Sequence, residues 1–435
     1  MKKTLLLLLT LSIALSIACS SGKFNRGSRE LEAGNYSDAI VIFREALAEN
    51  PEKAPLWQKL GIAYYRNQQY ADAVDALSQA RALDSGDGLT VLYLGMAYER
   101  LDKLLQAADL YRAYLKVDSD SEISQKIRHR IKYLTDQAVQ ANVEQVVASE
   151  KEIDTEEIPS NSVAVLGFRP GNLPDRYKPL ARGLTEMLVV DLKNYTDLTL
   201  VERVMLDAIL KELEMSQSEY FDKSKAPRAG RLMGASKVIA GEVMQQDDDD
   251  IMLESGIIEV RDGFVEYPEG VEGDLDQFFT LQKNLTKNIA ASLGYPISED
   301  QSAQLMEPPT ESFLAFLSYS LGLEYADQGM YALAEAQFEN ALAEDPGFSM
   351  AALAKNEVEG LSSYDGSVIS TGALEQAVVT ETTTNRSSDG TGKGLKQLQE
   401  TIGYIPDRSE EEEDPPYTPP VVGTGTVRVI GTLDE

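Results

Sequence analysis

Few residues in this 435-residue chain are candidates for chemistry. There is one cysteine, Cys19, and one histidine, His129. A lone thiol makes no internal disulfide, no zinc-finger quartet and no Cys-x-x-Cys redox pair. It can still receive a covalent group. The histidine lies among Arg128, Arg130 and Lys132, the composition of a solvated basic helix face. One imidazole supports neither a metal cluster nor a Ser/His/Asp triad, and no Gly-x-Ser-x-Gly elbow occurs. Gly390-Thr-Gly-Lys-Gly394 has the glycines of a phosphate loop, but Gly replaces Ser/Thr after the lysine and no strand precedes it. Asp247–Asp250 lacks the spaced ligands and terminal Glu of a calcium loop and reads as a solvated turn. With so many carboxylates, choosing two as an acid/base pair is arbitrary. These residues predict no enzyme, no metal and no cofactor.

Charge narrows the partners further. Lys and Arg total 40 and Asp and Glu 71, a net −31. Such a surface repels phosphate backbones, so no nucleic acid is expected; basic partners stay open, and acidity also serves solubility. Lys2-Lys3 and the apolar run Leu5–Ile17 have the form of a signal peptide over residues 1–18. The run is too short to cross a bilayer, which takes ~20 residues. It ends in Leu15-Ser-Ile-Ala-Cys19, which resembles the lipobox of bacterial lipoproteins, with Ser16 where that family usually has Leu. The resemblance implies lipidation of Cys19, and Ser20 in the next position implies sorting to the outer membrane, facing the periplasm. The alternative is an ordinary secretory peptide with a chance cysteine.

The elements that would present a binding surface repeat every 34 residues. Trp57, Leu60, Gly61, Tyr64, Ala73, Leu77 and Ala80 recur as Val91, Leu94, Gly95, Tyr98, Ala107, Tyr111 and Tyr114. One period earlier stand Lys23, Arg26, Gly27, Glu30, Ala39, Phe43 and Ala46, with Pro51 closing the unit. Small residues let paired helices approach, and aromatic or leucine side chains fill the space between them. The pattern resembles tetratricopeptide (TPR) repeats and spans residues 19–121. By that resemblance the concave face carries Gln58, Ile62, Tyr65 and Arg66, then Leu92, Met96, Glu99 and Arg100, and takes a protein or peptide; the other reading is that this face packs against the chain's own next domain. Residues 122–159 follow as a capping helix, with a stripe of Ile123, Ile127, Ile131, Leu134, Ala138 and Val146, and an acidic linker.

From Ser162 the period changes. Ser162-Val-Ala-Val-Leu-Gly-Phe168 reads as a buried strand, Leu180–Tyr195 as a helix and Leu198–Val201 as a short strand. Leu206, Ile209, Leu210 and Leu213 mark the next helix, and Glu202-Arg203 at its start reads as a boundary salt bridge or a subunit contact. A short helix near Arg228–Met233 precedes a strand after Gly234 and another at Ile251–Val260. Phe264–Tyr267 returns, and Leu275–Leu293 closes a mixed α/β sandwich. The ordered set Val-Ala-Val-Leu-Gly-Phe168, Gly183-Leu-Thr-Glu-Met-Leu188, Leu200-Val-Glu-Arg203, Gly234-Ala-Ser-Lys-Val-Ile-Ala-Gly-Glu242 and Val260-Arg-Asp-Gly263 resembles the curli-secretion-channel family, CsgG-like lipoproteins, over residues 160–294. That family implies assembly or export of surface fibres or adhesins, and ring-forming homo-oligomers. Channel members insert spanning hairpins of ~9–11-residue strands. Here the only room lies between Val238 and Asp274, where charge and Pro268 interrupt, so the reading favours a soluble scaffold over a pore.

Leu321, Gly322, Tyr325, Ala334, Phe338, Ala341 and Pro346 repeat the TPR spacing once more, in a unit at 310–361. A lone repeat cannot bury its own face. It must pack on Ala351–Leu361, on the middle domain or on another subunit. Residues 362–435 read as a low-complexity, disordered tail with an acidic run at Glu410–Asp414, and Thr426–Leu433 as a strand if an edge is offered. The fold class predicted is α+β multidomain: an α-solenoid, a mixed α/β sandwich, one more TPR unit and the tail. The function predicted is an outer-membrane lipoprotein scaffold anchored in the membrane by its lipid; a secretion channel and a periplasmic enzyme subunit are the alternatives.

Overall fold

The computed structural model describes residues 22–117, 122–222, 224–246, 250–364 and 370–384. The signal-peptide reading, Cys19, most of the Asp247–Asp250 run, the glycine-lysine loop and the chain after 384 lie outside them. Among the described residues two units emerge, one built from 22–138, 364 and 370–384, the other from 139–363.

The first unit is a stack of helices: α1 (22–32), α2 (Tyr36–Glu49), α3 (Ala54–Arg66), α4 (Tyr70–Leu83), α5 (Gly88–Arg100) and α6 (Leu104–Leu115). Its packing repeats as the sequence does. Gly27 lies against Phe43, Gly61 against Leu77 and Gly95 against Tyr111, so close that a Cβ at any of them would overlap the opposing side chain. Ala39, Ala73 and Ala107 are fully buried beside them. The turns repeat too. Gly34, Gln68 and Asp102 each take a left-handed backbone, at φ 80°, 62° and 58°. Helix α7 (Glu122–Ala148) follows, with Ile123, Ile127 and Leu134 buried in this unit.

The second unit holds a six-stranded sheet: β1 (Ser162–Pro170), β2 (Thr199–Leu200), β3 (Lys237–Gln245), β4 (Asp250–Glu259), β5 (Val265–Glu266) and β6 (Val271–Asp274). The order is β2-β1-β3-β4-β5, with β6 also on β4; β2, β1 and β3 are parallel, and β4 runs antiparallel to β3, β5 and β6. Helices α8 (Leu180–Tyr195) and α11 (Phe278–Ser292) contribute to one apolar core, where Val163, Val165, Ile239, Val243, Leu253 and Ile257 point. Helices α9 (Arg203–Glu212), α10 (Lys225–Leu232) and the last residues of α7 contribute to the other, with Ala164, Leu166, Val238, Ala240 and Ile258. Alternation along β1 breaks at Gly167, where the register with β3 slips and φ is +118°. This bulge turns Phe168 to the α8 side and takes its N–H out of the ladder. The Thr185 hydroxyl accepts that N–H at 3.0 Å and donates to the Ala181 carbonyl at 2.9 Å.

The lone repeat is not independent. Helices α13 (Phe313–Asp327), α14 (Tyr331–Glu344) and α15 (Ser349–Val358) follow a short helix, α12 (Glu299–Leu305), and share the α8–α11 core. Phe316 stacks with Phe278 and Phe279 at 5.5 and 5.3 Å between ring centres, and Tyr319 meets Phe348 at 5.0 Å. Gly183 of α8 admits Phe316 and Ser320 at a distance no side chain would allow. Asp327 receives Arg182 at 2.8 Å and Arg203 at 3.3 Å. Arg203 also binds Asp207 at 2.9 Å, so the expected Glu202–Arg203 pair does not form: one helical turn separates groups that meet more easily than chain neighbours. The linker expected after α7 is also tied down, because Glu150 accepts from Arg228 and Arg231, and these bonds lower its pKa to about 2.

Two buried ions generate predictions. Lys283 donates to both oxygens of Asp191 at 2.8 and 2.9 Å, with Gln282 adding a bond at 2.8 Å, all inside the second unit. Removing one partner strands the other, so Asp191→Ala should lower unfolding stability by ~3–5 kcal/mol in denaturant titration, and an Asp191→Leu/Lys283→Met pair should recover most of the loss. In the first unit burial lowers Lys59 to about 8, with Glu32 partly opposing and Arg66 adding to the shift. Its folded pKa lies below the unfolded value of 10.5, so the unfolded chain holds more protons between pH 8 and 10.5 and stability rises through that window. Lys59→Met should therefore gain ~1–3 kcal/mol at pH 7, with the gain shrinking as pH rises from about 8 to 10.5; a gain independent of pH would contradict it.

Candidate functional site

The site lies on the first unit, on helices that alternate along the stack: α3, α5 and α7. Periodicity places Tyr65 and Arg66 near the end of α3 and Tyr93, Glu99 and Arg100 along α5. Helix α7 adds Arg130. A further helix, α16 (Thr371–Thr384), lies against them. Residues from 362 on were expected to be disordered, and 371–384 correct that expectation. Gly, Val and Thr make this stretch a poor helix in isolation; it folds where a surface orders it. Leu374 is fully buried in the same apolar cluster as Ile62, Tyr65, Tyr93 and Ile127.

Polar contacts fix its register. Glu375 accepts from Arg66 Nε at 3.0 Å and from the Tyr93 hydroxyl at 2.9 Å, and Arg66 also donates to that hydroxyl at 3.1 Å. One turn away Thr371 donates to Glu99 Oε1 at 2.5 Å. The Glu99 carboxylate is buried and is also bound by Arg130, through both Nη2 and Nε, and by the Tyr111 hydroxyl at 3.0 Å. Burial pushes the Tyr93 and Tyr111 phenols well above the ordinary tyrosine range. Tyr65 rises likewise, first by burial and then by the charge of Glu375, against an opposing hydrogen bond from Arg100. The site therefore combines guanidinium groups, protonated phenols and an apolar seat. In the structure these groups hold the carboxylate of Glu375 on α16.

Of the expected concave-face residues, the structure brings Arg66, Tyr65, Glu99 and Arg100 to this site. Ile62, Leu92 and Met96 are buried in the packed stack and present no open surface. Gln58 is buried as well, donating to Thr90 at 3.2 Å and to Asp87. Tyr93 and Arg130 were not expected there. Arg130 shared the basic run read as solvated, yet it is only 4% exposed, because Glu99 draws it inward. His129, on the neighbouring face, packs against the Tyr364 ring at 5.5 Å. The run of charge hid the arginine's facing; its place at i+3 from buried Ile127 was the available signal.

One other concavity, of about 680 Å3, lies on the second unit beside Glu150, Arg228, Arg231 and Arg261. Its arginines are engaged, Arg228 and Arg231 by Glu150 and Arg261 by Glu156 at 2.5 Å. Among the described residues no group of three or more His, Cys, Asp and Glu side chains is placed to hold a metal ion, and no helix is long and apolar enough to cross a membrane.

Comparison with known proteins matches both units. Residues 30–89 fit the tetratricopeptide repeat family, and residues 139–257 fit the curli production assembly/transport component CsgG. The second match starts earlier and stops sooner than the expected 160–294, taking in the end of α7 and leaving out β5, β6 and α11. Among curated proteins, the human intraflagellar transport protein 88 homolog is 31% identical over 23% of this chain, and superkiller protein 3 of Schizosaccharomyces pombe is 41% identical over 14%. The matches span only 13% and 4% of those relatives. Similar solved structures include the first TPR of Spaghetti (RPAP3) bound to an HSP90 peptide, 22% identical over 24% of this chain and 82% of that one, with a TM-score of 0.23. The C-terminal domain of LpoB from Salmonella enterica is 22% identical over 30% of this chain and 93% of that one, with a TM-score of 0.22. The chain thus carries one segment similar to tetratricopeptide repeats, residues 30–89, and one similar to CsgG, residues 139–257.

Proposed function

We propose that this protein is a periplasm-facing lipoprotein of the outer membrane that binds other proteins while cell-surface material of the curli or adhesin type is assembled or exported. The observation that carries the reading is the helix-binding surface of the TPR region, joined in one chain to a CsgG domain. Such a surface selects a protein partner. The CsgG domain supplies the context of surface-fibre export and a means to oligomerise, and the basic, apolar N-terminus ending at Cys19 supports the lipid anchor. The reading contains no catalytic step. A secretion channel is the second reading, favoured by one observation: β3 and β4 form an antiparallel hairpin of 9 and 10 residues, the length a spanning hairpin needs. Against it, both faces of that hairpin are packed into apolar cores of the same unit, so forming a barrel would strip them of cover.

The anchor and the scaffold are tested together in cells. Wild-type protein should fractionate with the outer membrane and Cys19→Ser with the soluble periplasm, with surface fibres reduced in the variant. A Cys19→Ser protein that stays in the outer membrane contradicts the anchor. Detergent-extracted rings carrying a membrane-spanning barrel would replace the scaffold with the channel.

A further inference from the structure

We propose that α16 is a built-in occupant of the TPR groove and that the groove's external partner is a helix of the same make. The pattern read by the groove is a hydroxyl residue, then leucine and an acid three and four positions later. In α16 these are Thr371, Leu374 and Glu375, which share one helix face. Each has a dedicated receptor: Glu99 for the hydroxyl, the apolar cluster for the leucine, Arg66 with Tyr93 for the acid. The inference rests on the reading of the TPR region as a protein-binding surface and adds what it binds and what blocks it.

Three features make the occupant displaceable. Alone, the helix is weak, since Gly372, two valines and several threonines disfavour it and a helix of ~12–15 residues is marginal in water. Its described apolar seat is Leu374 with the partly buried Ala377, beside the polar Thr371 and Glu375. The acid lies at the edge, where the Glu375 side chain keeps 19% of its exposure while Arg66 beneath it keeps 8%. An entering helix can therefore take the arginine from its rim. Within a chain of net −31, arginines gathered on one face also favour an acidic helix over a basic one.

Covalent attachment gives α16 an effective concentration of order mM, so the closed groove lowers the apparent affinity for a competitor by the fraction of time it is open. The test titrates a fluorescein-labelled peptide of residues 370–384 into full-length protein and reads anisotropy. Leu374→Asp/Glu375→Lys, which weakens the internal helix, should bind the peptide at least ~10-fold more tightly than wild type. Adding Arg66→Ala to that variant should remove the gain. Glu375→Gln, which keeps the core intact, should give a smaller gain and decides the matter if the double variant fails to fold. Equal binding by wild type and the folded variants, or no binding by a variant that melts at the wild-type temperature, overturns the internal occupant. Either result leaves the scaffold reading to its own fractionation and fibre assay, so the two fail separately.

Discussion

A carboxylate taken out of water must be given donors, and in the helical unit that carboxylate is Glu99. Arg130 from α7, the Tyr111 hydroxyl from α6 and the Thr371 hydroxyl from α16 converge on it. Left unpaired, such a charge would cost several kcal/mol, so the last repeat, the helix that follows it and the C-terminal segment are bound by one demand. The demand also explains why α7 turns an arginine inward from a basic run, and why a stretch of poor helix formers is ordered at all. In the second unit an exposed carboxylate, Asp327, ties α13 to Arg182 of α8 and Arg203 of α9.

That second clamp changes what the TPR-like unit at 310–361 is. Its spacing is that of a repeat, and Gly322 meets Phe338 as Gly95 meets Tyr111. Yet it stacks on no second repeat. Phe316 and Tyr319 enter the apolar core shared with α8 and α11, and Gly183 is small enough to admit Phe316 and Ser320. Helix pairs of one pattern therefore sit in two settings in the chain: in the first unit they stack into the face on which α16 packs, and in the second they cover a sheet-flanking helix.

Much of this was legible in the sequence, for identifiable reasons. The repeat spacing is a packing rule, so Gly27, Gly61 and Gly95 announced their neighbours, and α8 was read at its observed ends because Leu184, Met187, Leu188 and Leu192 form an unbroken stripe. The strand at Ser162 and the short one at Leu200 were legible as apolar runs. Strand β6, Val-Glu-Gly-Asp274, was not, because it has no alternation and exists by pairing with β4. The bulge at Gly167 was hidden inside a continuous apolar run. Helix α16 was hidden by composition: low complexity reads as disorder, and only a tertiary partner makes Leu374 and Glu375 informative. Of the residues around α16, the repeat spacing pointed to Arg66, Tyr65, Glu99 and Arg100, whereas Tyr93 and Arg130 needed the packed structure to show which way they face.

The central claim is that the TPR groove holds the chain's own helix. Amide hydrogen exchange across Leu374–Ala377 in the full-length protein tests it most directly. The account predicts protection of at least ~100-fold over a free peptide, lost when Arg66→Ala removes the receptor of Glu375 while α8 in the other unit keeps its protection. Exchange of Leu374–Ala377 at the free-peptide rate in the wild-type protein would contradict it.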